Sequence, residues 1–132
     1  MSGKPPFRPL GLDHLLLVVK DLDETLAFYT DVVGLTVDHR LPEYGMIELR
    51  PGVALVDAAC EQGAWARAEP RGGRNLDHFA MAIEGCDEAA LRAHLAAHKV
   101  AIEEERDEDG ALSLYVRDPS GNAVELISRA PR

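Results

Sequence analysis

A short phrase is written twice in this chain. Leu12-Asp13-His14 opens the apolar run LLLVV, and 64 residues later Leu76-Asp77-His78 opens another, FAMAI. In the same register Asp23-Glu24 meets Asp87-Glu88, so five positions coincide at one separation. Near the end of each half the separation that matches is 68, where Pro51-GVALV-Asp57 meets Pro119-SGNAV-Glu125. Each half is then one supersecondary unit too small to bury its own apolar face, and the two must pack together about a pseudo-two-fold axis.

The first half reads as a strand over 12–19, followed by Asp21-Leu-Asp-Glu24, a capping-box-like helix start. Leu22, Leu26, Tyr29 and Val33 recur at helical spacing, and Gly34 ends the helix. Strands are expected near 35–41, 45–50 and 53–59, separated by Pro42 and Pro51-Gly52. The order returns in the second half: a strand over 76–83, a helix capped by Asp87 and carrying Leu91 and Leu95, and strands near 100–105, 111–117 and 122–128. The expected fold class is α+β, a single domain of two tandem βαβββ modules, about 10–60 and 75–128. The aperiodic Gly- and Arg-rich stretch 61–74 reads as the linker between them, and acidic 103–109 as a solvated hairpin edge.

Composition removes several function classes. A net charge of −9 leaves no clustered basic face for a phosphate backbone, so no nucleic-acid partner is expected. MSGKPPFRPLG has no apolar signal region and no uninterrupted apolar stretch is long enough to span a bilayer, so the expectation is a cytoplasmic protein with no membrane partner. Cys60 and Cys86 lack a CxxC arrangement and read as reduced thiols.

The repeat gives the histidines a purpose. Equivalent residues converge on a two-fold axis, so His14 and His78 from the first strands would meet Asp57 and Glu125 from the last. Two imidazoles and two carboxylates suit a divalent metal such as Zn, Ni, Co, Mn or Fe, and leave positions open for substrate. Glu125 lies within Ala-Val-Glu-Leu-Ile, where an ionised side chain is costly to bury unless paired or metal-bound; Asp57 lies likewise in Leu-Val-Asp-Ala. Glu48, in Met-Ile-Glu-Leu, competes for the fourth place, but in the register that matches Asp57 with Glu125 it meets Val116, one strand too early. It is held in reserve. His94 and His98 are one helical turn apart with no acidic partner between them and read as a solvated helix face. His39, beside Arg40, reads as surface or cavity wall.

With these residues in view, LDH at 12–14, LAFYTDVVGL at 26–35, DHFAMAIE at 77–84 and YVRDPSGNAVEL at 115–126 resemble the vicinal-oxygen-chelate superfamily. That superfamily includes glyoxalase I, extradiol dioxygenases, methylmalonyl-CoA epimerase and the fosfomycin- and bleomycin-resistance proteins. The resemblance covers about residues 10–128. It implies curved mixed sheets around a metal-binding cavity, often completed across a homodimer, and a small-molecule substrate with vicinal oxygens. Position by position it implies His14, His78 and Glu125 as metal ligands, with Asp57 at a fourth place where relatives commonly carry Glu.

The activity it implies first is that of a glyoxalase-like lyase or isomerase. There a bound divalent metal chelates adjacent substrate oxygens and stabilises an enediolate while Glu125 or Asp57 moves the neighbouring proton, and Tyr115 and Arg117 orient the substrate. Two alternatives stay open within the resemblance. One is an Fe(II) extradiol dioxygenase using His14, His78 and Glu125, with Asp57 outside the ligand set. The other is a non-catalytic binding protein of the bleomycin-resistance kind. The fosfomycin-resistance branch fits less well, since Leu16 stands where it uses a hydroxyl residue and acidic 103–109 where it has a basic loop.

Overall fold

The computed structural model describes residues 5–6, 8–60, 76–85, 87–108 and 110–129; the linker at 61–74 and Cys86 lie outside the described residues. The first module begins with strand β1, Leu15–Val19. The Asp21 carboxylate then accepts the Glu24 amide at 2.9 Å and caps helix α1, Leu22–Ala27. The helix widens into a π-turn over Phe28–Val32, which buries the two consecutive aromatics Phe28 and Tyr29 together. It stops at Gly34, whose φ of +88° suits glycine. Strands β2, Thr36–Leu41, β3, Met46–Arg50, and β4, Val53–Asp57, complete the module.

The second module repeats the order with β5, Phe79–Ile83, and α2, Glu88–Ala97, whose cap Asp87 accepts the Ala90 amide at 2.8 Å. Strands β6, Glu104–Glu108, β7, Ala111–Arg117, and β8, Ala123–Ser128, follow. β6 starts later than the apolar alternation at 100–105 suggests. Val100 and Ile102 are spent on the core as a connector, and the ladder begins only where Glu104 faces Tyr115.

Each module forms one four-stranded sheet, in the orders β1-β4-β3-β2 and β5-β8-β7-β6, with β1/β4 and β5/β8 parallel and the remaining pairs antiparallel. The fold is α+β with two tandem modules. β6 lies at a sheet edge, as the acidic composition of 103–109 indicates. Among the described residues no helix is long and apolar enough to cross a membrane.

One face of each sheet enters a shared core. Leu17, Val19 and Leu55 come from the first sheet, Leu114, Val124 and Leu126 from the second, and Tyr29 and Leu95 from the helices. Polar bonds join the modules through these helices. The Tyr29 hydroxyl donates to Asp118 Oδ2 at 2.7 Å, Thr25 meets Ser120 at 3.3 Å, and His94 Nε2 donates to the Val32 carbonyl at 2.8 Å. The opposite faces of both sheets therefore point away from the core. Cross-strand partners share a face and successive residues alternate. Leu16, Ala54, Glu48 and His39 thus share the open face of the first sheet, and Ala80, Glu125, Tyr115 and Glu104 that of the second.

The repeat has a drifting register. It is 64 at β1 and β5, 66 at the helix caps Asp21 and Asp87, and 67 where Glu48 of β3 corresponds to Tyr115 of β7. It reaches 71 at the last strands, because Val53 faces Leu15 as Val124 faces Phe79. The register of 68 required equal turns after Pro51 and Pro119. The β3–β4 turn is Pro51-Gly52 alone, whereas β7–β8 is joined by Asp118–Asn122. Asp118 folds that longer turn by accepting the Ser120 and Asn122 amides and Asn122 Nδ2, at 2.8–2.9 Å.

Candidate metal centre

His78 immediately precedes β5, and its parity in the strand turns it to the open face with Ala80. Glu125, opposite Ala80 on β8, shares that face. His78 Nε2 and Glu125 Oε1 stand 3.1 Å apart. The remaining atoms of both groups are also engaged. Asp77 Oδ2 holds His78 Nδ1 at 2.6 Å, and the Ser113 hydroxyl of β7 donates to Glu125 Oε2 at 2.6 Å. Tyr115 hydrogen-bonds the same carboxylate and sets its ring 5.5 Å from the imidazole, while Arg106 of β6 lies over the Tyr115 ring at 5.7 Å.

The electrostatics follow from these contacts. The hydrogen bond that His78 donates to Asp77, followed by the charges of Asp77 and Glu125, raises the His78 pKa against the opposing effect of burial. Burial pulls Glu125 upward, but the bonds from Ser113, Tyr115 and His78 outweigh it and hold the carboxyl below its usual range. Burial and the nearby Glu125 charge raise the Tyr115 phenol.

The donor types fit a first-row divalent cation. Bonds of about 2.1 Å at near-octahedral or tetrahedral angles put neighbouring donors roughly 3.0–3.4 Å apart. The His78–Glu125 separation matches one edge of such a shell.

His14 occupies the corresponding place in the first module. Its Nδ1 meets Asp13 Oδ1 at 2.7 Å, repeating the contact of His78 with Asp77. It lines a cavity of about 370 Å³ with Glu48, Gly52 and Ala54. His78 lines a separate one of about 290 Å³ with Tyr115, Arg106 and Glu104. Among the described residues of one chain, no three His, Cys, Asp or Glu side chains gather where they could hold a metal ion.

Asp57 is placed elsewhere. It pairs with Val19 at the far end of β1, about 13 Å along the strand from Leu15 at 3.3 Å per residue. Its Oδ1 accepts the Ala59 amide at 2.8 Å, and its parity is that of the core face. The residue that corresponds to Glu125 is Ala54, which faces Leu16 as Glu125 faces Ala80. The symmetry argument for Asp57 as a fourth ligand therefore falls with the register on which it stood. Glu48, held in reserve by the sequence, sits opposite Ala54 on the open face and shares the His14 cavity.

Other residues settle as follows. His39 faces Glu48 from β2. His94 near the end of α2 and His98 at its C-terminal cap meet edge to face with ring centroids 4.7 Å apart, away from both cavities. Arg117 is tied to Glu103 at 3.0 Å and to the Gly121 carbonyl at 2.9 Å. Ser113 carries no sequence signal of its own, because nothing in a strand pattern distinguishes it from any other strand hydroxyl.

The chain is 35% identical over 131 residues to an uncharacterized protein of Pseudomonas aeruginosa, covering 91% of this chain and 89% of that one. It is 28% identical to catechol-2,3-dioxygenase of Bacillus subtilis, covering 92% of this chain and 42% of that one. The crystal structure of lactoylglutathione lyase from Agrobacterium tumefaciens superposes with a TM-score of 0.67 at 27% identity, over 91% of this chain and 94% of that one. Residues 11–126 match the family model described as the Glyoxalase/Bleomycin resistance protein/Dioxygenase superfamily, and the chain belongs to that superfamily.

Proposed function

We propose that this protein is a divalent-metal-dependent enzyme whose centre is assembled by two copies of the chain, His14 from one and His78 with Glu125 from the other. The observation that carries this reading is the His78–Glu125 pair, formed on an open sheet face while the matching imidazole is displayed on the other open face of the same chain. Two copies related by a two-fold axis would bring unlike faces together at two equivalent centres. In this reading the partners are a second copy and a small molecule, in the cytoplasm.

The bound ion would supply Lewis acidity toward two adjacent oxygens of the substrate. The chain's own groups would do the rest. Glu48 is the carboxylate on the His14 side that is not needed as a ligand, and it would take the proton from the carbon beside those oxygens. Tyr115, its counterpart in the second module, would hold a substrate oxygen by its hydroxyl. This is lyase or isomerase chemistry of the glyoxalase type, and the similarity to a lactoylglutathione lyase supports it.

Ala54 favours a second reading. With alanine where a fourth carboxylate would stand, His14, His78 and Glu125 form a two-His-one-carboxylate set with open positions, which suits an Fe(II) extradiol dioxygenase.

Mixing the two single variants His14→Ala and His78→Ala tests the assembly. Neither should bind a stoichiometric Co(II) ion alone, whereas a shared centre regains one intact site in each mixed pair. A centre confined to one chain regains none, and that result would refute the proposal. Deuterium exchange beside the carbonyl of a 2-hydroxycarbonyl compound, against oxygen uptake with a catechol, separates the two chemistries.

A further inference from the structure

Every group assigned to the metal in the proposed function is already gripped at its other end by the same chain. The Asp-His contact occurs twice, once in each module, with the residue preceding the histidine and always on Nδ1, at 2.7 and 2.6 Å. Nε2 is thereby left as the outward donor in both rings. Glu125 is gripped differently: Oε1 turns to His78 and Oε2 receives the Ser113 hydroxyl at 2.6 Å, so the carboxylate is pinned with one oxygen turned toward the histidine.

The repeat contains its own control. Ser113 faces Ile127 across β7 and β8, two residues from Glu125 on the same face, and is only 6% exposed. The corresponding position in the first module, facing Val56, is Met46. That module has Ala54 instead of a carboxylate, and no hydroxyl stands beside it. The hydroxyl is present where there is a ligand oxygen to hold and absent where there is none. The Asp-His contact is present in both modules, as is the histidine.

We infer that Asp13, Asp77 and Ser113 are positioning residues of the metal centre, the two aspartates fixing His14 and His78 through Nδ1 and the serine fixing Glu125 through Oε2. Supporting hydrogen bonds of this kind restrict the ligand's rotation before the cation arrives and keep its basic atom aimed outward; their loss typically lowers metal affinity about 10- to 100-fold. The inference rests on His14, His78 and Glu125 being the ligands.

Co(II) alone serves as the probe, titrated against a chelating dye at the same pH for wild type and every variant and repeated at a second, higher pH, so that a change in proton competition is separated from a loss of the positioning bond. Ser113→Ala, Asp77→Asn and Asp13→Asn should each weaken Co(II) about 10-fold or more, while Ser113→Thr, which keeps the hydroxyl, stays within about 3-fold of wild type. Thermal unfolding of the metal-free proteins measures separately what each lost bond costs the fold, and the affinities are compared at a temperature where every variant is folded. If Ser113→Ala unfolds, Ser113→Val, which fills the site with a β-branched side chain and has neither donor nor ligand atom, replaces it with the same expected loss. Wild-type affinity in the Ser113 and Asp77 variants, with binding abolished in His78→Ala, would overturn the positioning role and leave the ligand set standing. Wild-type affinity in His78→Ala and Glu125→Gln would remove the ligand set, and this inference with it.

Discussion

Ala54 holds in the first module the position that Glu125 holds in the second. It lies between Leu16 and Glu48 as Glu125 lies between Ala80 and Tyr115. The duplicated scaffold therefore presents two imidazoles but a carboxylate at this position in only one module. The first consequence concerns Asp57, which faces the core side at the other end of β4 and already caps the Ala59 amide. Asp57→Asn should leave Co(II) affinity within about 2-fold of wild type, whereas Glu125→Gln, removing the charge of the carboxylate proposed as a ligand, should lose roughly 100-fold or more. Calorimetric titration of both variants checks this directly.

Glu48 invites a separate prediction because it corresponds to Tyr115 and shares the His14 cavity. A residue that moves a proton without ligating should separate binding from turnover. Glu48→Gln should bind Co(II) within about 3-fold of wild type yet slow deuterium exchange into a 2-hydroxycarbonyl substrate by about 10²–10⁴ in kcat. A parallel fall in metal affinity would instead make Glu48 a ligand.

The contrast between these carboxylates shows what a sequence of this kind discloses. The LDH repeat was legible because both histidines head strands, where the separation of 64 survives folding unchanged. The helix caps Asp21 and Asp87 and the stop at Gly34 were legible because local hydrogen bonds and backbone conformation decide them. The last strands were misaligned because turn length is a tertiary matter: Pro51 and Pro119 both mark turns, but only the second turn is built around a buried aspartate with four donors. Ser113 was illegible for the same reason, since its meaning lies in the strand across from it. So was the separation of His14 from His78, which depends on which faces the helices cover.

The His78–Glu125 contact carries a pH signature. The folded pKa of His78 is raised above its ordinary 6.5, so its bonds stabilise the fold fully below that value and are lost as pH rises through the raised one. Glu125 is lowered from 4.5, so its contribution is present above 4.5 and disappears as pH falls through the lowered value. The pair is strongest between those limits. A cation needs the neutral ring, so Co(II) affinity should climb as pH rises through the His78 transition, with protons released on binding. The imidazole proton resonance of metal-free His78 should titrate above 6.5, and Asp77→Asn, which removes the largest cause of the shift, should bring the midpoint down.

Stability should depend on a bond that lies in neither cavity. Tyr29 and Asp118 are both buried, and the hydroxyl–carboxylate bond of 2.7 Å between them joins the helix of the first module to the β7–β8 turn of the second. Burial, followed by the Asp118 charge and hydrogen bond, pushes the phenol far above its ordinary range, so it remains a donor at any pH the protein meets. Tyr29→Phe deletes one bond to a charged acceptor while preserving the ring's packing, and should cost about 1.5–3 kcal/mol. Asp118→Ala strips the acceptor from Tyr29, from the Ser120 and Asn122 amides and from the Asn122 side chain at once, and should cost more. Because the bond crosses between modules that share one core, urea unfolding of Tyr29→Phe should remain a single transition with a lower midpoint and unchanged slope. Two separated transitions would mean that the modules fold independently and that the shared core couples them weakly.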